Sequence, residues 1–179
     1  MPHPLDPVEG VLAVLDTGSA SGTNKFGLLL ALIDLAPSAP ESGFVPDADL
    51  AAKLLELHWD HARPYGGHVL RQVTTPNRDN VVVITEVEAL HAHLRAAGFA
   101  IGPFERVRKV IAASAWNEAL ARVVKATRAN PLRRLQTLDR QQVVFLYEIE
   151  RGASASCHTR SRLSSGSDPC SETSSSSAS

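Results

Sequence analysis

Asp16 closes an apolar run, Val11-Leu12-Ala13-Val14-Leu15, and is followed by Thr17-Gly18-Ser19. Asp-Thr-Gly-Ser after apolar residues is how aspartic-protease chemistry presents its carboxylate. That chemistry needs two carboxylates about 3 Å apart sharing one proton, so the motif must recur or be completed by a dimer. The chain carries no second copy, and the patterns on either side are helical where a protease scaffold would be β-rich. Asp16 therefore reads as the solvent end of a first helix, with residues 17–22 as its terminator and a linker.

Other chemistry-bearing residues are sparser. His58-Trp59-Asp60-His61 places two imidazoles at i and i+3, on one helix face, where they could share a metal. No further ligand falls in register, and two histidines and an aromatic packing at a helix end account for the same residues. His91 and His93 are two apart, so on a helix they point to different faces. Cys157, His158 and Cys170 lack the short cysteine spacing of zinc modules. Residues 18–25 resemble a phosphate loop loosely, since no Gly-Lys-Ser/Thr follows. There is no Gly-x-Ser-x-Gly, and Ser114 and Ser154 have no recognisable base partner. No catalytic residue and no metal ligand is assigned.

Charge is more informative. The formal net charge is only −1, yet residues 1–62 hold two lysines and nine Asp or Glu. Residues 104–140 hold nine Lys or Arg against Glu105, Glu118 and Asp139. A segregated basic segment is the footprint of a phosphate-backbone contact. It is equally the footprint of a basic helix packed against an acidic partner within the same chain. On the first reading Arg106, Arg108, Lys109, Arg122, Lys125, Arg133 and Arg134 meet the phosphates of duplex DNA. Arg71 and Gln72, after the double glycine, are candidates for base edges, because Arg and Gln donate in bidentate fashion there.

These residues need elements to hold them. Val8, Val11, Leu12 and Leu15 recur at helical spacing, and Pro7 suits the first turn, which predicts a helix over 6–16. "NKFGLLLALIDLA", capped by Thr23 or Asn24, predicts a second helix to Ala36, apolar on nearly all sides and so the buried centre. Asp47 or Asp49 caps a third, with Leu50, Leu54, Leu57 and His61 on one face and Pro64 ending it. "DNVVVITEVEALHAHLRAAG" opens with strand composition, but Val83, Val87, Leu90 and Leu94 keep helical intervals up to Gly98, so it reads as helix. "PFERVRKVIAASAWNEALARVVKATRA" reads as one long or kinked helix that buries Val107, Ile111, Ala115, Leu120 and Val123, stopped by Asn130-Pro131. Two short strands follow, around a turn at 138–140, the better one at 143–147. The pattern is mainly α with a small late β-hairpin, a winged-helix-like layout.

Residues 1–151 form the ordered unit of that layout. In residues 152–179, twelve of 28 are Ser and Leu163 is the only large aliphatic side chain. Such a segment buries too little apolar surface to offset its ordering entropy and reads as disordered. The apolar share of 44% and charged share of 21% are those of a globular, water-facing chain. The longest apolar run, 26–33, is too short to span a bilayer, and no signal peptide opens the chain. With both cysteines in the tail and no disulfide framework, the expected setting is cytoplasmic.

"GTNKFGLLLALIDLA" at 22–36 resembles the N-terminal region of bacterial HNH endonuclease-type proteins, relatives of modification-dependent restriction enzymes. The resemblance continues through "LAAKLLELHWDHARPYGGHVLRQ" at 50–72 and ends near "PLRRLQ" and "VVFLYE" at 131–148. It implies a helical DNA-recognition region ahead of a divalent-metal-dependent HNH nuclease module. That module needs a His general base, a second metal-binding His or Asn and often Cys-x-x-Cys pairs, none of which this sequence contains.

Two functions are consistent with these residues. One is the DNA-recognition portion of an HNH-type restriction endonuclease, without its own catalytic centre. The other is a non-enzymatic helical interaction or regulatory module that meets no nucleic acid. On the first, the break in composition after Arg151 is an out-of-frame ending beyond which the nuclease was lost. Translating the other reading frames beyond codon 151 should then reveal an apolar helix and an HNH motif; their absence removes the truncation.

Overall fold

A computed structural model describes residues 7–16, 23–38, 44–65, 68–69, 81–129, 132, 135, 137–138, 141–142, 147–149 and 160–163. These residues are mostly helical. Among the described residues the α-helices run in the order α1 (Pro7–Asp16), α2 (Thr23–Leu35), α3 (Asp47–Leu57), α4 (Val82–Ala96), α5 (Phe104–Val107) and α6 (Ala113–Ala129). Short 3-10 turns follow α2 at Ala36–Ser38 and α3 at Asp60–Ala62.

The strands are brief. β1 (Phe44–Pro46), β2 (Pro64–Tyr65) and β3 (His68–Val69) lie between α2 and α4, while β4 (Thr137–Leu138), β5 (Gln141–Gln142), β6 (Tyr147–Ile149) and β7 (Arg160–Leu163) follow α6. β2 pairs antiparallel with β3 across the Gly66-Gly67 pair. β4 pairs with β5, Leu138 opposite Gln141, around the expected late turn; of the strand expected at 143–147 only Tyr147 is among the described residues, and it belongs to β6. β7 lies between β1 and β6, with Arg162 opposite both Phe44 and Glu148. It falls within the segment whose composition reads as disordered; the rest of 152–179 lies outside the described residues.

α3 occupies the middle of the helical layer, packing on α2, α4 and α6, while α4 also packs on α6. Leu50, Leu54 and Leu55 of α3 are buried with Leu28 and Leu32 of α2, Val87, Leu90 and Leu94 of α4, and Trp116 and Val123 of α6. α4 shows why spacing prevails over composition. Its β-branched start favours a strand, but Val83, Val87, Leu90 and Leu94 form one stripe and all four are buried, an arrangement only a helix offers. The helix ends at Gly98, φ 81°, with Phe99 N–H donating to the Leu94 carbonyl and Gly98 N–H to that of Arg95. That pair of bonds is the Schellman closure, and the positive φ is why glycine stands there.

Three expectations are corrected. The long basic helix is two helices, with a turn over 108–112 between α5 and α6. At about 100° per residue, Trp116 would lie about 180° from Val107 on a continuous helix. Both are buried, with Ile111, so the chain must re-register between them. The core face of α6 is accordingly Trp116, Ala119, Val123 and Thr127, with Ala115 and Leu120 only partly covered.

α3 is likewise shorter than expected. Its cap position is Pro46, and the first-turn Asp47 turns its carboxylate to Arg128 instead of capping. Beyond Leu57 the chain tightens, because the Trp59 indole N–H donates to the Gly102 carbonyl at 3.0 Å. His61 consequently faces solvent instead of continuing the Leu50–Leu54 face. The third correction concerns α2: Leu28, Leu29, Ala31 and Leu32 are buried, whereas Phe26, Leu30 and Ile33 are 37%, 51% and 47% exposed.

Gly27 sits on the buried side of α2 for a steric reason. A Cβ there would lie 2.5 Å from Cε1 of His58, whose buried ring is held by its Nδ1–H donating to the Leu54 carbonyl at 2.9 Å. Within a helix Gly→Ala ordinarily stabilises by about 1 kcal/mol. Here Gly27→Ala is expected to destabilise by about 1–3 kcal/mol through overpacking, measured as a lower urea midpoint at unchanged slope.

Candidate functional site

The basic segment is the natural place to look for a site, and the packing of α6 decides how much of its charge is free. Arg122 lies one turn after Glu118 and opposite Glu86 of α4. Its guanidinium donates to Glu86 at 3.0 Å and to Glu118 at 2.8 Å. Glu86 is buried, so this bridge satisfies a carboxylate inside the α4–α6 interface. Arg128, at the other end of α6, pairs with the buried Asp47 of α3. The acidic first third and the basic helix thus meet directly at Asp47–Arg128. Arg108 is occupied differently. Its guanidinium stacks 3.8 Å above the Trp116 ring, a cation–π contact, and partial burial pulls its pKa below the ordinary arginine value.

Three candidates remain open to solvent. Arg106, Lys109 and Lys125 are exposed and make no hydrogen bond or ion pair among the described residues. They do not form one cluster. Arg106 and Lys109 precede α6, whereas Lys125 lies about 18 Å along it from Ala113, at 1.5 Å per residue. Arg71, Gln72, Arg133 and Arg134 lie outside the described residues.

The histidines do not converge. His58 is buried and His61 exposed, their ring centroids 5.5 Å apart. Burial lowers the His58 pKa and the neighbouring His61 lowers it further, against the Leu54 carbonyl, which raises it. His91 is buried and His93 exposed, the opposite faces expected from their spacing. Among the described residues no three His, Cys, Asp or Glu side chains are placed to hold a metal. Ser114 is exposed in the first turn of α6; Ser154, Cys157, His158 and Cys170 lie outside the described residues. Asp16 is the last residue of α1.

The feature missed at the level of sequence is the outer side of α2. Phe26, Leu30 and Ile33 fall within about 60° of one another at helical spacing, opposite Leu28, Leu32 and Leu35. The signal was present as an apolar pattern around the whole helix, which suits total burial and two-sided contact equally. Near its end, Asp34 is held by Lys53 of α3 at 3.1 Å, and Lys53 also meets Glu56 at 3.2 Å. No helix among the described residues is long and apolar enough to cross a membrane.

No family model, curated protein or solved structure matches this chain. None of these comparisons links residues 22–36, 50–72 or 131–148 to HNH endonuclease-type proteins.

The two kinds of ion pair should differ in energetic weight. Arg128→Ala removes the cation from a buried carboxylate and is expected to cost about 3 kcal/mol. Glu118→Ala breaks only an exposed i,i+4 contact and should cost about 0.5 kcal/mol or less. Urea denaturation of the two variants beside the parent chain measures both; equal losses would show that Asp47–Arg128 is no more than a surface pair.

Proposed function

We propose that this chain is a non-enzymatic helical interaction module whose contact face is the outer side of α2. The observation that carries this reading is the stripe of Phe26, Leu30 and Ile33, large apolar side chains left in solvent at one-turn spacing. Exposed apolar residues in a row on a helix suit an apolar partner surface, as when a helix lies in a groove. The pairing of Arg122 with Glu86 and of Arg128 with Asp47 adds support, since it consumes inside the fold part of the charge that DNA would need.

A second reading is kept for one observation, the exposed Arg106, Lys109 and Lys125, which pair with no acid among the described residues. On it the chain is the DNA-recognition portion of an HNH-type restriction endonuclease, and the divalent metal belongs to a separate nuclease module. Fluorescence anisotropy with a labelled duplex separates the two. The interaction module should show no saturable binding at 50 mM salt, while an apolar reporter dye bound by the parent chain should be lost in Leu30→Asp at unchanged helix content. Saturable duplex binding that collapses between 50 and 200 mM salt would overturn the first reading and establish the second.

A further inference from the structure

His91 stands at one end of a chain of stacked rings. Its centroid is 4.3 Å from that of Trp59, edge to face; Trp59 is 5.4 Å from Phe104, and Phe104 is 6.0 Å from Trp116. These four residues come from α4, the end of α3, α5 and α6, so the row of rings ties the helical layer together. Trp59 is anchored by the Gly102 carbonyl, which also accepts from the Arg63 guanidinium. Within this row His91 is the odd member. It is 1% exposed, and neither ring nitrogen makes a hydrogen bond of good geometry among the described residues.

A buried imidazolium needs an acceptor for each of its two N–H groups, and neither ring nitrogen of His91 has one of good geometry here. The charged groups that face it are Arg95 of its own helix and, from the 3-10 turn, Arg63 and Asp60. Asp60 is largely exposed and already bound to Arg63 at 3.0 Å, so a proton on His91 would meet two guanidiniums and one occupied carboxylate. We propose that His91 is an acid-sensitive latch, holding the turn after α3 against α4 while neutral and releasing Trp59 to solvent when protonated.

The direction of the effect follows from the burial. Desolvation first, then Arg95 and Arg63, bring the His91 pKa from 6.5 down to about 4, against smaller opposing contributions from Asp60 and the Ala62 backbone. Above pH 6.5 neither the folded nor the unfolded chain is protonated at His91, and the latch is fully effective. Between 6.5 and about 4 only the unfolded or opened form takes the proton, so stability falls as the pH falls through that window.

The test compares the full-length chain with His91→Phe, which keeps a ring and removes the titration. Between pH 7 and pH 5, above the main carboxylate range, the unfolding equilibrium constant of the parent chain should rise about 20-fold more than that of the variant. His58, also depressed by burial, titrates in both chains and cancels in the difference. Acrylamide quenching of tryptophan emission should increase at pH 5 in the parent chain only. An NMR titration of the His91 ring in the parent chain decides the matter even if His91→Phe does not fold. A midpoint near 6.5, or equal pH dependence in the two chains, would overturn the latch.

Discussion

The fold turns on the burial of Trp59 against a carbonyl that arrives from 43 residues further along the chain. A buried indole N–H that finds no acceptor is costly, and Gly102 supplies the acceptor only if the chain after α4 returns across the end of α3. That return places Phe104 on the indole, and Phe104 in turn receives Trp116 at the start of α6. One satisfied donor thus dictates where α3 stops, where α4 must deliver the chain and how α6 begins. The glycine at 98 is the local device that permits the reversal, and Arg63 reinforces its end point by donating to the same carbonyl.

Seen from this contact, the legible parts of the sequence are those where one residue pattern satisfies one neighbour. α4 was identified by spacing alone, from Val83, Val87, Leu90 and Leu94 up to the glycine at its close, although Ile84, Glu86 and His91 are buried as well. The pairing of 137–138 with 141–142 was legible in position because the two strands are neighbours in sequence, whereas the strand expected at 143–147 falls mostly outside the described residues. The break between α5 and α6 was read as no more than a kink alternative to one long helix, although its cause is visible in the residues. No proline or glycine stands between 103 and 129, so nothing local interrupts the helix. The information lies in the mutual inconsistency of Val107, Ile111 and Trp116 as one face, and it acts only once all three must reach the same core. The early end of α3 was hidden for a similar reason, since the acceptor for Trp59 is remote in sequence.

The charge pattern shows the same division. Counting residues exposed an acidic first third and a basic helix, and both a nucleic-acid surface and an internal match follow from those counts. What the counts lack is register. Asp47 and Arg128 are 81 residues apart, and Glu86 reaches Arg122 only because α4 and α6 pack side by side. A buried carboxylate demands a cation, so these two pairings are conditions of the packing first and reduce the charge available to a partner second. Among the described basic residues of 104–140, Arg106, Lys109 and Lys125 are those that pair with no acid and stack on no ring.

α2 presents the complementary problem, a helix with more apolar surface than its own core can use. Its low amphipathicity follows from having two apolar faces about 180° apart, Leu28 and Leu32 on one and Phe26, Leu30 and Ile33 on the other. The inner face is fixed by α3, and closely so, because the His58 ring leaves no room for a side chain at Gly27. The helix cannot roll to hide its outer residues without breaking that approach. Lys53 adds a second restraint by clamping Asp34. The exposure of Phe26, Leu30 and Ile33 is therefore a consequence of how tightly the opposite face is held. A rigid helix with an apolar outer stripe loses little conformational freedom on binding, and that is the physical basis for reading α2 as a contact surface.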